Sequence, residues 1–202
     1  MGDLNALEMR RRFMLQPNYQ RVVWNNLVNG YLDSSGWVDR NSIQTNTKFA
    51  NGIATTEFYT ISGGRYTMRC RNTPQVFAHH RYLYRYYCSV NQDVTVIGAE
   101  LAGGKESTES RKTGINEWGL YSGIVESDID GNGIIYIPFM YGMRTGAVSK
   151  VKNVLYIDLT LMFGEGHEPK TVVAFEKICA KNGEDLDVAH SLDAGTVKKW
   201  IL

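Results

Sequence analysis

A chain of 202 residues, 43% hydrophobic and 21% charged, can bury one sizeable core, and this excludes global disorder. Its 22 basic and 21 acidic side chains leave a net charge of +1, so no global electrostatic reason exists to expect nucleic acid or an anionic membrane as partner. The three cysteines, Cys70, Cys88 and Cys179, are odd in number and irregularly spaced, which fits neither a disulfide framework nor a zinc site. No apolar run approaches the ~20 residues of a membrane span. The N-terminal stretch carries its charges inside its apolar part, unlike a signal peptide.

In chain order, residues 1–17 predict a short helical anchor. Leu4, Leu7, Arg11 and Met14 share one helical face, Asp3 is placed to cap it and Pro17 to end it. A helix this short needs something to pack on. Arg10, Arg11 and Arg12 beside Leu4, Leu7, Phe13 and Met14 offer the mixed side chains of a segment that docks on another protein, the alternatives being a solvated surface helix and a nucleic acid contact.

Residues 18–162 read as strands and turns, with Tyr, Phe, Trp and Gly abundant and Pro scarce. Ile53 to Ile61 is rich in Thr, Ile, Phe and Tyr, and Gly63-Gly64 turns the chain into Tyr66 to Cys70. Tyr82, Tyr84, Tyr86, Cys88 and Val90 alternate with Leu83, Arg85, Tyr87 and Ser89, the period of a sheet strand. Gly103 to Thr113 reads as an exposed loop, Ile134 to Tyr141 as a strand, and Val151 to Leu161 as a late strand interrupted near Lys152-Asn153. Short strands at regular spacing without βαβ alternation predict an antiparallel β-sandwich. Residues 163–202 change character. Val172, Val173, Phe175, Ile178 and Cys179 make one apolar helical face, Gly183 sits where a C-cap belongs, and Ser191 to Trp200 is read as a second short helix.

The segment from Ile157 to Glu176 contains Asp158-Leu159-Thr160, then Met162-Phe163-Gly164-x-Gly166-x-Glu168-Pro169, then Thr171 and Phe175-Glu176. It resembles a segment of phage and prophage tail-associated proteins. Weaker likenesses lie at Asn5 to Arg12, at Asn26 to Gly30 followed by Trp37 (similar to the opening strand of carbohydrate-binding-module-like sandwiches), and at His80 to Tyr84. The resemblance implies a mainly β, jelly-roll-like sandwich without a catalytic site or cofactor. It implies a virion structural protein of the tail, a fibre or the capsid surface, assembled in the host bacterial cytoplasm. Other virion proteins are its partners, and a homo-oligomer, with a trimer favoured, is expected. Where the family often has Glu three residues after the capping Thr, this chain has Ala174, which leaves half of a capping box. Asp158, Thr160, Phe163, Gly164, Gly166, Pro169, Thr171 and Phe175 are expected to form a structural clasp that closes the end of the sandwich.

Candidate chemistry is sparse. Asp128, Asp130 and Asn132 before Gly133 spell the first half of a calcium loop, but Phe139 stands where the closing acid belongs, and a hairpin turn explains the same residues. His79 and His80 are adjacent, so on a strand they point to opposite faces and do not chelate one metal. No G-x-S-x-G motif is present. A glycosidase carboxylate pair is a third, less favoured reading that sequence spacing does not test. The second reading is an adhesin that recognises a host glycan. Trp24, Trp37, Trp118, Tyr121, Tyr84 and Tyr86 supply candidate aromatic faces, with Trp37, Trp118 and Tyr121 the foremost ligand residues, against the alternative that such rings fill the core.

Overall fold

The computed structural model of the chain describes residues 19–24, 26–28, 32, 37–39, 44–60, 65–70, 74–94, 96–101, 106–109, 114–133, 135–188 and 197–201. The expected N-terminal anchor, with Leu4, Leu7, Arg10, Arg11, Arg12, Phe13 and Met14, lies outside the described residues. In chain order the elements are β1 (Tyr19–Val23), β2 (Trp37–Asp39), β3 (Gln44–Ala50), β4 (Ile53–Thr60), β5 (Arg65–Cys70), β6 (Gln75–Val76) and β7 (Arg81–Val90). There follow β8 (Val96–Leu101), β9 (Glu106–Glu109), β10 (Gly119–Glu126), β11 (Gly131–Asn132), β12 (Ile135–Tyr141), β13 (Val148–Asp158), α1 (Leu159–Phe163), α2 (Val172–Lys181) and β14 (Val197–Ile201).

Two five-stranded antiparallel sheets, ordered β10-β7-β13-β4-β3 and β2-β5-β12-β8-β9, face one another as a jelly-roll-like sandwich. The period-2 pattern of β7 explains its central place. Tyr82, Tyr84, Tyr86 and Cys88 project between the sheets, where they meet Phe58 and Tyr156 of their own sheet and Met68, Ile97, Ile137 and Met140 of the other. Tyr82 stacks on Tyr156 at 5.5 Å, and Tyr86 on Tyr121 at 5.5 Å. Such pairs contribute about 0.5–1.5 kcal/mol beyond their area. The Tyr86 hydroxyl donates to the Gly98 carbonyl at 2.6 Å, which ties one sheet to the other across the core. Gly123 is required by packing, because a Cβ there would stand 2.6 Å from a carbon of the Tyr84 ring. Pro138, which has no N–H to give a ladder, sits where the register of β12 shifts between Tyr136 and Phe139.

A second core lies on the outer face of the first sheet. Leu83, Leu155 and Ile157 point away from the sandwich interior and would be wet if nothing covered them. The β1–β14 ribbon, α1 and α2 cover them with Val22, Trp24, Met162, Phe163, Phe175, Cys179 and Trp200. This clasp starts at Asp158, whose Oδ1 accepts from the Leu161 amide at 2.8 Å and caps α1. Thr160 accepts from the Arg81 amide and donates to Glu168, so the turn after α1 is fastened to the start of β7. Gly164 ends α1 at φ 89°, a left-handed value that favours glycine. Gly166 takes φ 77° and Pro169 is buried before Thr171, which caps α2 by accepting from the Ala174 amide at 3.1 Å. Phe175 is fully buried and meets Phe163 edge-on.

Four expectations are corrected. The stretch Gly103 to Thr113, read as a loop, contains β9, which pairs with β8 at the edge of the second sheet. The late strand ends at Asp158 rather than Leu161, because Asp158 caps a helix that begins at the next residue. Val197 to Trp200 is strand, not helix: β14 pairs with β1 in antiparallel register, and this ladder turns Trp200 into the second core. Asp128 to Gly133 is not a hairpin, since β10 and β12 belong to different sheets. The stretch crosses between them and pairs Gly131 and Asn132 with Val76 and Gln75. In the opening region, Asn26 forms a single bridge with Ile157, and its side-chain oxygen accepts from the Tyr156 amide.

Candidate ligand-binding face

The clasp covers only part of the outer face of the first sheet. Along β7 the same face continues past Leu83 to Arg85, Tyr87 and Ser89, and cross-strand partners share a face. Tyr87 therefore lies beside Lys152, and Lys152 beside Ile53. Ser89 lies beside Lys150, Lys150 beside Thr55, and Thr55 beside Lys48. Among the described residues no element covers this half of the sheet.

Its most exposed aromatic near β7 is Trp118, 39% exposed, at the turn that leads into β10. The Lys152 ammonium stands 4.5 Å from the Trp118 ring centre and 5.5 Å from that of Tyr87, so one cation bridges two aromatic rings. Behind them, the largely buried Arg85 donates to Asp187 Oδ1 at 2.8 Å, and the Tyr87 hydroxyl donates to the same oxygen at 2.8 Å. Asn153, at the register shift of β13 and with φ 53°, donates to the Asp187 carbonyl. These bonds pin the loop after α2 beside the open face.

The charges are set accordingly. Partial burial opposes ionisation of Asp187, but hydrogen bonds from Arg85 and Tyr87 outweigh it and hold the carboxyl below the usual aspartate value. Burial and the bond to Asp187 push the Tyr87 phenol up, so it is a neutral donor at neutral pH. Because the folded value of Asp187 is depressed, its contribution to stability is present above the unfolded value of about 3.9 and is lost as pH falls through the folded value. Asp187→Asn is expected to lose stability at pH 7 and to show a shallower decline than the parent between pH 5 and 3. Urea unfolding across that window checks this; parallel pH profiles would mean that Asp187 does not couple folding to protons.

The foremost ligand residues of the sequence reading fare differently. Tyr121 is fully buried against Tyr86, and Trp24, Tyr84 and Tyr86 are buried too, so none offers a face to a ligand. A ring that fills a core has no free side left for a sugar. Trp37 opens β2 across from Cys70, and its side chain lies outside the described residues. Trp118 remains. Of the residues that the sequence reading missed, Tyr87 carried a signal, since period 2 places it opposite the core tyrosines. Lys152 and Asp187 carried none, because their contacts join distant parts of the chain.

The weak cation candidate is used structurally: Asp130 Oδ1 accepts from the Ala78 amide at 2.9 Å, and Asn132 belongs to the β11–β6 ladder. Among the described residues no three His, Cys, Asp or Glu side chains are grouped to hold a metal. Burial pushes the Cys88 and Cys179 thiols up to about 12, which leaves both protonated and poor nucleophiles.

The fold is thus a two-sheet antiparallel sandwich with a helical clasp, and part of it is similar to solved structures. No family model and no curated protein matches the chain. A structure described as "CBM4 structure and function" matches at TM-score 0.49 and 9% identity, over 65% of this chain and 98% of that one. The CBM22-1 xylan-binding domain of Xyn10C from Paenibacillus barcinonensis matches at TM-score 0.45 and 8% identity, over 68% of this chain and 97% of that one. The N-terminal cellulose-binding domain of a β-1,4-glucanase from Cellulomonas fimi matches at TM-score 0.44 and 15% identity, over 62% and 90%. The open face stands on its own geometry.

Proposed function

We propose that the chain is a non-catalytic, glycan-binding sandwich, and that the open half of its outer face is the binding surface. The observation that carries this is Trp118, exposed beside Tyr87 and bridged to it by Lys152 on an open sheet face. Flat rings take the apolar faces of pyranoses, while ammonium, carboxylate and hydroxyl groups bond to their rims. The face continues across the strands to Tyr59, 52% exposed, whose hydroxyl donates to Glu57 at 2.8 Å and accepts from Asn46 at 3.4 Å. Three strand spacings across and four residues along put Trp118 and Tyr59 roughly 20 Å apart. That span suits an extended oligosaccharide rather than a single sugar.

A glycan array on the purified chain, followed by calorimetry with the best hit, tests the reading. Trp118→Ala is expected to weaken binding by about 2 kcal/mol, roughly thirtyfold, with an unchanged melting temperature. Equal affinity in the folded variant would sink this face as the binding surface.

The setting we propose is a bacteriophage particle, with the chain on the tail, a fibre or the capsid surface beside other virion proteins. The support for it is the resemblance of residues 157–176. Electron microscopy of purified particles that contain the chain in density checks the setting, and absence of the chain from the particle would remove it.

A further inference from the structure

A cleft of about 310 Å³ opens at the other end of β10, lined by Arg81, Ile124, Val125, Glu126 and Lys170. It is distinct from the face around Trp118. Gly119 pairs with Cys88 and Glu126 with Arg81, so seven residues of strand, about 24 Å, separate the two ends. The volume is at the low end for small-molecule sites, the size for one sugar-sized ligand rather than a chain.

The charges in the cleft are unequal. Among the described residues Glu126 is its only lining carboxylate, and it already faces two basic groups, Arg81 Nε at 3.7 Å and His79 Nδ1 at 3.7 Å. Both distances are too long for hydrogen bonds, so the donors of Arg81 are not used up by Glu126. Lys170 has no ion pair among the described residues. Of the nearby acids, Glu168 accepts from the Thr160 hydroxyl, and despite partial burial this bond, those from its own and the Gly166 amides and the positive charge of Arg81 hold it below the usual glutamate value. Asp158 is buried against His80 and the Leu161 amide. Two cations and one carboxylate line a cleft whose apolar wall is Ile124, since Val125, the next residue of the strand, packs toward the sandwich core.

We propose that this cleft is a second site, for a carboxylate-bearing sugar such as a uronic acid. Its carboxylate bridges Lys170 and Arg81, and its ring lies against Ile124. This rests on the reading of the chain as glycan-binding, but not on the face around Trp118.

The test is an NMR titration of the full chain with D-glucuronate, D-glucose and acetate in low salt. Glucuronate is expected to shift the amides of Arg81, Ile124 to Glu126 and Lys170 in a saturable way, with glucose and acetate at least about tenfold weaker. Lys170→Met is expected to weaken glucuronate about tenfold. Glu126→Gln is expected to tighten it, because a competing carboxylate is removed. Trp118→Ala is expected to leave these shifts unchanged, so failure here and failure of the Trp118 face are told apart. Equal response to glucose, equal response to acetate, weaker binding by Glu126→Gln, or loss of the shifts in Trp118→Ala would each overturn the proposal, as would no saturable shift.

Discussion

Trp200→Ala is expected to lower stability by about 3–5 kcal/mol, the range for deletion of a large buried aromatic. The side chain is 1% exposed in β14, and its ring centre lies 6.2 Å from Trp24 and 6.1 Å from Phe163. Phe163 meets Phe175 in turn at 6.3 Å, so one indole holds the β1–β14 ribbon, α1 and α2 to each other and to the sheet below. Truncation opens a cavity beside Trp24 and Phe163 in a layer packed around the indole. Trp200→Phe makes the complementary test. The Trp200 indole N–H is buried without a partner among the described residues, and such a donor costs about 1–3 kcal/mol. Phe keeps part of the ring and removes that donor, so this variant is expected within about 1 kcal/mol of the parent. Urea unfolding followed by far-ultraviolet dichroism reads both. A loss under about 1 kcal/mol for Trp200→Ala would show that the ribbon is not what holds the clasp.

Asp158→Ala has the second largest expected effect, about 2–4 kcal/mol, from a lost helix cap and a lost charged hydrogen bond acting together. The carboxylate is 1% exposed. One oxygen caps α1 through the Leu161 amide, and the other lies 2.8 Å from His80 Nδ1. It stands where three things meet: the end of β13, the first turn of the clasp and the entry to β7. Removing it takes from the Leu161 amide and the His80 ring nitrogen the partner each has in the fold. Asp158→Asn keeps an acceptor for the cap and loses the charge, and its expected loss is about half as large. Chemical denaturation at pH 7 ranks the three proteins. Equal stability of Asp158→Ala and the parent would mean that α1 is held by packing alone.

Much of the sandwich was legible in the sequence because the period of a strand is local. The alternation from Tyr82 to Val90 marked β7, and the same rule separates Tyr87 from the core tyrosines. The Thr171 cap was expected from the resemblance; of the apolar face read for α2, Phe175 and Cys179 are buried, whereas Val173 is exposed. Ser191 to Trp200 misled as a helix because its last residues are held by a partner more than 170 residues away. Local preference is weak against a ladder and a buried indole that only the assembled chain provides.

For the candidate site, the sequence by itself determined the chemistry on offer: a Trp in a polar turn, aromatics in excess, and no nucleophile motif or metal-ligand spacing. Only the tertiary structure decided which aromatics are free. Four of the six proposed sugar-binding rings fill cores, because a sandwich with a clasp buries both faces of part of its central strands. It also brought Lys152 onto Trp118 and Tyr87, and Arg85 onto Asp187, across separations of up to 102 residues. Which charges meet depends on strand order and register, and these follow from the packing of the whole chain rather than from any stretch of it.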